Sequence, residues 1–193
     1  MHKPFSQSCE NNKQPILEVL ERVLADTQKL LEIGSGTGQH AVYLAPHLTH
    51  LQWQTSDMPN NHNGILAWLA DSQATNIQPP VEFTIGQNDW PSKAFDTVFT
   101  ANTTHIMQVD EAKSMMEMVS ENLPKGGVFC QYGPFNINGQ YTSDSNKAFD
   151  QYLQQQKCGG IRDIEELQTW AKELTLIEKI PMPANNFIFH WKK

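Results

Sequence analysis

The sequence predicts an α/β fold in which a doubly wound, mostly parallel sheet carries helices on both faces. Short apolar runs typical of buried strands alternate along the chain with segments whose apolar residues recur at helical spacing. The first such run, KLLEI at 29–33, leads directly into the glycine-rich turn GSGTG at 34–38. Because parallel strands need long crossover connections, usually helices, this alternation favours a parallel sheet over a set of hairpins.

The helices are predicted from the spacing of apolar side chains. The segment PILEVLERVLAD at 15–26 has this spacing, and Pro15 suits a first helical turn because its missing N–H has no partner to lose there. Further helices are predicted from the glycine turn to about Leu48 and over residues 63–72, 110–123, 145–156 and 161–174.

The remaining strands are predicted from short apolar or alternating runs bounded by turn residues. LQWQTSD at 51–57 alternates apolar and polar side chains and stops at an acid. The tail contains two runs separated by Pro183 and Ala184, which indicates a terminal hairpin. Besides 51–57, the predicted strands are 81–86, 95–102, 125–135, 174–182 and 185–193.

Length and composition limit the classes of protein. A chain of 193 residues is most simply one domain, 1–193, with residues 1–14 as a candidate lid. No apolar run approaches the ~20 residues of a membrane-spanning helix, and the polar N-terminus does not resemble a signal peptide, so a cytoplasmic protein is expected. The net charge of −7 makes nucleic acid an unlikely partner. Cysteine and histidine spacings predict no metal site.

The glycine turn discriminates between nucleotide ligands. Dinucleotide-binding turns follow the pattern G-x-G-x-x-G, but here Gln39 stands where the third glycine belongs. No GK[ST] sequence follows, which disfavours a phosphate-binding P-loop. Glu32, just ahead of the turn, would repel a pyrophosphate and could instead hold an ammonium group. The turn therefore predicts a ligand with positive charge and hydroxyls rather than phosphate.

Polar residues after the second and third strands predict further parts of this ligand. Asp57 ends the second strand, where a carboxylate can accept hydrogen bonds from both hydroxyls of a ribose. After the third strand, Asn88 or Asp89 could accept from an adenine amino group, and Trp90 could form an apolar wall. A ligand with an amino-acid head, a ribose, an adenine and no phosphate is S-adenosylmethionine, which becomes the predicted cofactor.

The chain resembles the class I S-adenosylmethionine-dependent methyltransferases and, more narrowly, the methyltransferase-like protein 26 family. The resemblance spans nearly the full length. It is carried by the segments SCENNKQPIL, EIGSGTGQHAVYLA, SD at 56–57, ANTTHI at 101–106, YGPFNINGQYTSDSNKAFD, GIRDIEEL at 160–167 and MPANNFIFHW. It implies a Rossmann-like sheet of seven strands whose last strand is antiparallel.

The resemblance also implies donor contacts, at Glu32, Gly34, Gly38, Asp57, Asp89 and Asn102. The predicted donor site adds neighbours of these positions in the two turns, namely Ser35, Gly36, Thr37 and Met58. One departure is the NTTHI segment, where the family pattern would have a bulkier apolar residue before the histidine. This departure concerns the shape of the pocket rather than donor binding.

Candidates for the acceptor side follow the fourth and fifth strands. His105 could act as a base near neutral pH, although a capping or solvent-facing histidine fits its position equally well. Tyr132 precedes a polar, glycine-containing loop that would border the acceptor pocket. Asn12 belongs to the segment CENNK at 9–13, which could fold over the donor as a lid or fray as a terminus.

The leading hypothesis is an enzyme that transfers a methyl group from S-adenosylmethionine to a small-molecule, or alternatively a protein, acceptor. A non-catalytic binder of S-adenosylmethionine or S-adenosylhomocysteine is the second hypothesis. An NAD-dependent oxidoreductase is the third, disfavoured by Gln39 and Glu32. The acceptor side discriminates between the first two, because a filled or closed pocket around His105 and Tyr132 would favour the binder.

Overall fold

The computed structural model describes residues 3–193 as alternating helices and strands. Glycine and proline positions separate most of these elements, as the sequence predicts. In chain order the elements are α1 (Gln7–Val23), β1 (Lys29–Ile33), α2 (Gln39–Leu44), β2 (Gln52–Asp57), α3 (Pro59–Ala70), β3 (Ile77–Glu82), β4 (Thr97–Ala101), α4 (Val109–Asn122), β5 (Val128–Gly133), α5 (Asp144–Gln155), α6 (Ile164–Trp170), β6 (Thr175–Met182) and β7 (Asn186–Lys192).

The strands form a seven-stranded sheet in the order β3-β2-β1-β4-β5-β7-β6. Strands β1 to β5 pair in parallel, while β7 runs antiparallel to both β5 and β6. This arrangement confirms the predicted fold class, including the antiparallel last strand and the terminal hairpin. The chain moves outward from β1 in one direction through β2 and β3, then returns to β4 on the other side. The strand order therefore reverses between β1 and β4, the position where open α/β sheets bind ligands.

Each face of the sheet is covered by its own hydrophobic cluster. Alternate β1 side chains divide between them: Leu30 packs with α1 and α2, whereas Leu31 packs with α4 and α6. Trp53 of β2 and Phe99 of β4 lie on the Leu30 face, fully buried, with ring centroids 5.7 Å apart. Helices on both faces explain why the central strands contain apolar residues at successive positions rather than at alternate ones.

The first helix is longer than the sequence suggests, and the prediction that Pro15 lies in its first turn is wrong. Helix α1 begins at Gln7 because the Ser6 side chain caps it, with Oγ accepting from Cys9 N at 3.3 Å. Pro15 therefore lies inside the helix, where it lacks the N–H that would bond to the carbonyl of Asn11. The segment 9–13 is helical rather than frayed, and α1 continues to Val23.

The third strand is also displaced from its predicted position. The sequence places it at 81–86, after Pro79 and Pro80, but β3 spans Ile77–Glu82 and contains both prolines. Strand β3 lies at an edge of the sheet, so a residue without an N–H costs no ladder bond on the open side. At the other end of the chain, α6 is shorter than the predicted 161–174 because the capping box of Asp163 sets its start at Ile164.

Membrane-spanning helices, metal clusters and disulfides are not found in the described part of the chain. No helix within 3–193 is both long and apolar enough to cross a membrane. Over the same residues, no group of three or more His, Cys, Asp or Glu side chains is arranged to hold a metal ion. Cys9, Cys130 and Cys158 are free thiols.

Candidate functional site

The glycine turn after β1 has a backbone that requires glycine. Gly34, Gly36 and Gly38 all have positive φ, at 71°, 59° and 88°. Two of them also lie too close to neighbours for a side chain, since a Cβ on Gly34 would be 2.9 Å from Thr103 Cγ2 and one on Gly38 would be 3.1 Å from Ile65 Cα. The three glycines therefore let the chain turn sharply from β1 into α2 while other segments pack closely against it.

Glu32 lies at the end of β1, only 2% exposed, on the face shared with Trp53. Its Oε2 accepts from Ser35 Oγ at 2.8 Å and from Trp53 Nε1 at 3.0 Å. Burial raises the pKa of Glu32 to about 7, although both hydrogen bonds oppose the rise, and the Asp57 carboxylate adds to it. Both hydrogen bonds reach the same oxygen, so Oε1 of this carboxyl is left for a further donor.

Asp57, at the end of β2, joins the second strand to the glycine turn. Its Oδ2 accepts from Gly36 N at 2.7 Å, while Oδ1 accepts from Met58 N at 2.7 Å and Asn61 Nδ2 at 2.8 Å. Because a carboxylate has about four acceptor positions, these three bonds leave room for at least one more. Ser35 strengthens the same junction, since its N and Oγ bond to the O and N of Ser56 at 3.0 and 3.1 Å.

The segment after β3 has three candidate adenine contacts in different surroundings. Asn88 is held inside its own loop, because Oδ1 accepts from Thr84 N at 2.7 Å. Asp89 is exposed. Trp90 packs edge-to-face on Phe83, with ring centroids 5.6 Å apart, and its Nε1 is buried without a partner among residues 3–193. A buried donor without a protein partner can be satisfied by an ordered water or by an acceptor atom of a ligand.

Gln39 connects the glycine turn to the chain's N-terminal end. Its Oε1 accepts from Ser6 N at 2.6 Å and from Thr37 Oγ1 at 3.1 Å. Its Nε2 donates to Ser6 O at 3.3 Å and to Glu10 Oε1 at 2.8 Å. All four hydrogen bonds are made by a side chain that is 2% exposed. The residue that replaces the third glycine of a dinucleotide turn thus holds the beginning of α1 against the turn.

Residues 3–6 form an N-terminal strap across α3. Lys3 Nζ bonds to Asp71 Oδ2 at 2.6 Å and lies 3.9 Å from the Trp68 ring centroid. Trp68 Nε1 donates to Pro4 O at 2.6 Å. Pro4 also packs onto Gly64, where a Cβ would be 2.7 Å from Pro4 Cγ. The strap and the first turn of α1 therefore cover one side of the glycine turn.

A cavity of about 610 Å³ opens beside the carboxyl ends of β4 and β5. It is bordered by the start of α1, by α2, by the loops after β4 and β5, by α5 and by the turn before β7. Among the predicted site residues it brings together Asn12, Asn102, His105 and Tyr132. Glu32, Asp57 and the adenine candidates do not line it; they lie along the neighbouring ends of β1, β2 and β3.

His105 and Asn102 enter the cavity from the loop after β4. Asn102 has a φ of 58°, a left-handed conformation that asparagine tolerates, and its N donates to Tyr132 O at 2.9 Å. His105 is 5% exposed and packs edge-to-face on Phe149, with ring centroids 5.4 Å apart. Burial lowers the pKa of His105 to about 4, although the Asp150 carboxylate opposes the decrease. The imidazole is therefore neutral near pH 7 rather than poised to titrate there.

A chain of hydrogen bonds along the cavity wall joins Cys9, His40 and Asn12. His40 Nε2 lies 2.7 Å from Asn12 Oδ1, and His40 Nδ1 lies 3.8 Å from Cys9 Sγ. A carbonyl oxygen only accepts, so the proton of the neutral imidazole is on Nε2 and Nδ1 faces the thiol as an acceptor. Burial raises the pKa of Tyr132, and a hydrogen bond with Asn12 opposes the rise.

Sequence reasoning missed several residues of this site. Gln39 served only as an argument against a dinucleotide, whereas its side chain makes four hydrogen bonds to three residues, Ser6, Glu10 and Thr37. His40 and Cys9 were not predicted as site residues, and Thr103 was not predicted to pack on Gly34. No local pattern reveals these pairs, because each of them joins residues from separate elements of the fold.

Solved structures with the same fold include several methyltransferases. Human N-acetylserotonin methyltransferase in complex with SAM matches with a TM-score of 0.82 at 13% identity, over 97% of this chain and 53% of that one. An O-methyltransferase family 2 protein from Planctomyces limnophilus, in complex with apigenin, matches with a TM-score of 0.77 at 13% identity, over 95% of this chain and 62% of that one. PigF with SAH matches with a TM-score of 0.79 at 14% identity, over 95% of this chain and 54% of that one. This chain thus spans little more than half of each neighbour, and the likeness is one of fold.

The sequence itself matches one family model along nearly its whole length. The model, described as "Protein of unknown function (DUF938)", covers residues 3–193. That range includes the glycine turn, the carboxylates at the ends of β1 and β2, and the cavity beside β4 and β5. The match extends far beyond half of the chain, and the protein therefore belongs to the DUF938 family.

Proposed function

We propose that this protein is an S-adenosylmethionine-dependent methyltransferase that acts on a small-molecule acceptor. The observation that carries the proposal is the junction of Glu32, the glycine turn and Asp57 at the position where the strand order reverses. Two carboxylates beside a glycine turn suit a cationic nucleoside without phosphate. The SAM and SAH bound by two proteins of the same fold support the choice of this nucleoside.

The residues at the junction fit such a ligand in three respects. Glu32 has an oxygen left for an ammonium group, and Asp57 has at least one acceptor position for a ribose hydroxyl. Trp90 Nε1 is a buried donor that needs an acceptor, such as an adenine ring nitrogen. Among the remaining predicted donor contacts, Gly34, Gly36 and Gly38 would form the backbone surface against which the ligand lies. Asn102 would face its reactive end.

Two of the predicted contacts differ in how freely they could serve. Asp89 is the better acceptor for an adenine amino group, because Asn88 Oδ1 is already bonded to Thr84 N. Met58, which is 48% exposed after Asp57, could cover the adenine as an apolar flap. Ser35 and Thr37 would act indirectly, since their hydroxyls bond to Glu32 and Gln39 and hold the turn in shape.

The mechanism assigned to this chain is mainly positioning. When bound, S-adenosylmethionine would supply a methyl group that its sulfonium activates for transfer to a lone pair of the acceptor. The carboxylates would fix the two ends of the donor, while the cavity at His105 and Tyr132 would hold the acceptor in line. Gln39 would exclude water by keeping the start of α1 over the turn.

A base contribution from His105 needs a local change. Its buried imidazole is neutral, with a pKa lowered to about 4, so a proton that it accepted would be held weakly. An acceptor whose nucleophilic atom has no proton to lose would therefore react without the help of His105. An acceptor that carries a hydroxyl would need Asp150, next to His105, to stabilise the imidazolium that forms.

The cavity also supports catalysis over simple binding. A non-catalytic binder would need no space beyond the donor, whereas a further cavity of about 610 Å³, with His105 and Tyr132 among its lining residues, opens beside the ends of β4 and β5. The narrower resemblance to the methyltransferase-like protein 26 family is retained as part of this proposal, together with a cytoplasmic location. The apigenin bound by one neighbour is consistent with a small-molecule acceptor.

Isothermal titration with S-adenosylhomocysteine tests the proposal. The wild-type protein should bind, and Asp57→Ala should weaken binding by about tenfold or more, because hydrogen bonds to a carboxylate contribute about 1.5–3 kcal/mol. Asp57→Asn is a second variant that preserves the side-chain volume, and the exposed Asp26→Ala is the matched control. Absence of binding to the wild type, or equal affinity of all three variants, would contradict the proposal.

A further inference from the structure

The cavity beside β4 and β5 has a mixed polar and apolar lining, with no formal charge among its described lining residues. Asparagine and serine side chains form much of the wall, and none of the lining residues within 3–193 is Asp, Glu, Lys or Arg. Charged groups act on the wall without lining it: Glu32 and Glu10 act on Cys9, Glu10 and Lys13 act on His40, and Asp150 acts on His105. A charged ligand would therefore enter this space without a partner, which is costly away from water.

The titratable groups of the wall are also neutral. Burial lowers the pKa of His40 and of His105 to about 4, and it raises the pKa of the Cys9 thiol and of the Tyr132 phenol. All four groups are thus uncharged near neutral pH. The hydrogen bonds from His40 Nε2 to Asn12 and from the Cys9 thiol to His40 Nδ1 are compatible with these neutral forms.

Aromatic rings border the same space. Phe149 of α5 is 37% exposed although it packs on His105, and it stacks on Tyr152 with centroids 6.5 Å apart. Tyr132 lies among the other lining residues, 3% exposed. A partly exposed phenylalanine on a cavity wall offers a flat apolar surface for a ligand ring.

The hydrogen-bond chain gives Tyr132 a defined role. The orientation of Asn12 is set by His40, since Asn12 Oδ1 accepts from His40 Nε2 and its amide NH₂ group is left as the side that acts on the Tyr132 phenol. Tyr132 borders the same cavity, where its phenolic O–H can donate to a bound molecule.

We propose that the cavity selects an uncharged acceptor with an aromatic or heteroaromatic ring, and that the Tyr132 hydroxyl donates a hydrogen bond to a polar atom of that ring. The identification of this ligand as a methyl acceptor rests on the proposed function. Tyr132 is then a specificity residue that touches the acceptor, and Asn12 and His40 are positioning residues that act through it.

Three probe compounds with one ring and different charge test the selection. At about pH 7.5, 4-methylphenol is neutral, tyramine is a cation and 4-hydroxybenzoate is an anion. Their affinities are measured by ligand-observed NMR titration, with and without saturating S-adenosylhomocysteine. The neutral probe should bind about tenfold more tightly than either charged one, since neither charge meets a partner. Equal affinities, preference for a charged probe or no binding of 4-methylphenol would each overturn the proposal.

Variants separate the hydrogen bond from the shape of the cavity. Tyr132→Phe should weaken 4-methylphenol binding by about fivefold, because the donor is lost while the ring stays. Tyr152→Phe is the matched control, since Tyr152 lies next to Phe149 but does not line the cavity. Asn11→Asp, on the cavity rim, should raise the affinity of tyramine relative to 4-methylphenol by about threefold. Unchanged affinities in Tyr132→Phe would remove that residue from the proposal.

The two levels of inference fail separately. If S-adenosylhomocysteine binds but the neutral probe has no advantage, the proposed enzyme stands and the acceptor class is wrong. If the probe order holds but S-adenosylhomocysteine does not bind, the cavity keeps its specificity and the methyltransferase proposal falls.

Discussion

The side-chain amide of Gln39 pairs with the backbone of Ser6 in both directions, accepting from its N at 2.6 Å and donating to its O at 3.3 Å. One buried side chain thereby bonds to both backbone polar groups of Ser6, the residue that caps α1, as a neighbouring strand would. The strap at 3–6, the first turn of α1 and the glycine turn are joined through this amide. If the donor enters beneath the strap, Gln39 must release Ser6 first.

Loss of the Gln39 amide should free the start of the chain. Gln39→Ala leaves Ser6 N without a partner and Ser6 O with only its bond from Glu10 N, which we expect to lower the free energy of unfolding by about 1–3 kcal/mol. Hydrogen exchange measured by mass spectrometry should accelerate in residues 4–10 and remain unchanged in β4 and β5. Gln73→Ala, at an exposed glutamine, is the control. Wild-type exchange rates in the strap of Gln39→Ala would show that the other strap contacts suffice.

The buried carboxyl of Glu32 should make stability depend on pH. Its folded pKa of about 7 lies above the value of 4.5 for an exposed glutamate, so its contribution is complete below pH 4.5 and is lost as pH rises to about 7. Between pH 4.5 and pH 8, the free energy of unfolding of Glu32→Gln should therefore rise by about 3 kcal/mol relative to that of the wild type. Urea denaturation at several pH values measures this difference. The exposed Glu21→Gln is the control, and a pH-independent difference for Glu32→Gln would contradict the burial effect.

The same carboxyl predicts how donor binding responds to pH. The ammonium group of the proposed donor would bind the ionised form of Glu32, whose pKa is raised to about 7, so the affinity for that donor should increase from pH 6 to pH 8. Binding below pH 7 should also release a proton. Titration calorimetry with S-adenosylhomocysteine in buffers of different ionisation enthalpy detects that release. Glu32→Gln should bind more weakly and with little pH dependence; a wild-type pH profile in this variant would place the ammonium group elsewhere.

The two cavity histidines should make stability fall towards acid pH, the opposite of the effect of Glu32. Burial lowers the pKa of His40 and His105 from 6.5 to about 4, so their contribution is complete above pH 6.5 and is lost as pH falls towards 4. Protonation of each histidine should remove about 2 kcal/mol from the free energy of unfolding between pH 7 and pH 5. Denaturation of His40→Gln and His105→Gln should show a smaller acid loss than wild type. His47→Gln, at an exposed histidine, should follow the wild type more closely.

Gly34 and Thr103 should be energetically coupled. Gly34→Ala adds a Cβ at a φ of 71° and 2.9 Å from Thr103 Cγ2, which we expect to cost about 2–4 kcal/mol from strain and overpacking. Thr103→Ala removes the atoms that clash, so the double variant should recover about 1 kcal/mol or more in a double-mutant cycle. Gly36→Ala is the matched control, because its Cβ would meet nothing closer than 4.0 Å. Additive effects for Gly34 and Thr103 would mean that the loop after β4 relaxes.

Local patterns were sufficient for the architecture and for the edge of the sheet that carries the site. The apolar run ending in Glu32, the glycines after it and the acid at Asp57 are each readable without neighbours, because strand ends and turns have local chemistry. Their convergence follows from the parallel sheet, which brings the carboxyl ends of successive strands to one edge.

Helix and strand limits were less predictable where one feature overrode another. The cap at Ser6 starts α1 well before Pro15, and the edge position of β3 admits two prolines that read as a break in the sequence. The prediction failed at these places because the deciding partner of each residue is set by the fold rather than by its neighbours in the chain.

By itself, then, the sequence determined the fold class, the glycine turn and the two carboxylates, since these depend on short-range periodicity and turn chemistry. Only the tertiary structure decided that Gln39 holds Ser6, that His40 sits between Cys9 and Asn12, and that the cavity wall carries no charge. These contacts join residues about 30 positions apart in the chain or more, and their effects on pKa and selectivity arise from burial, which no local segment encodes.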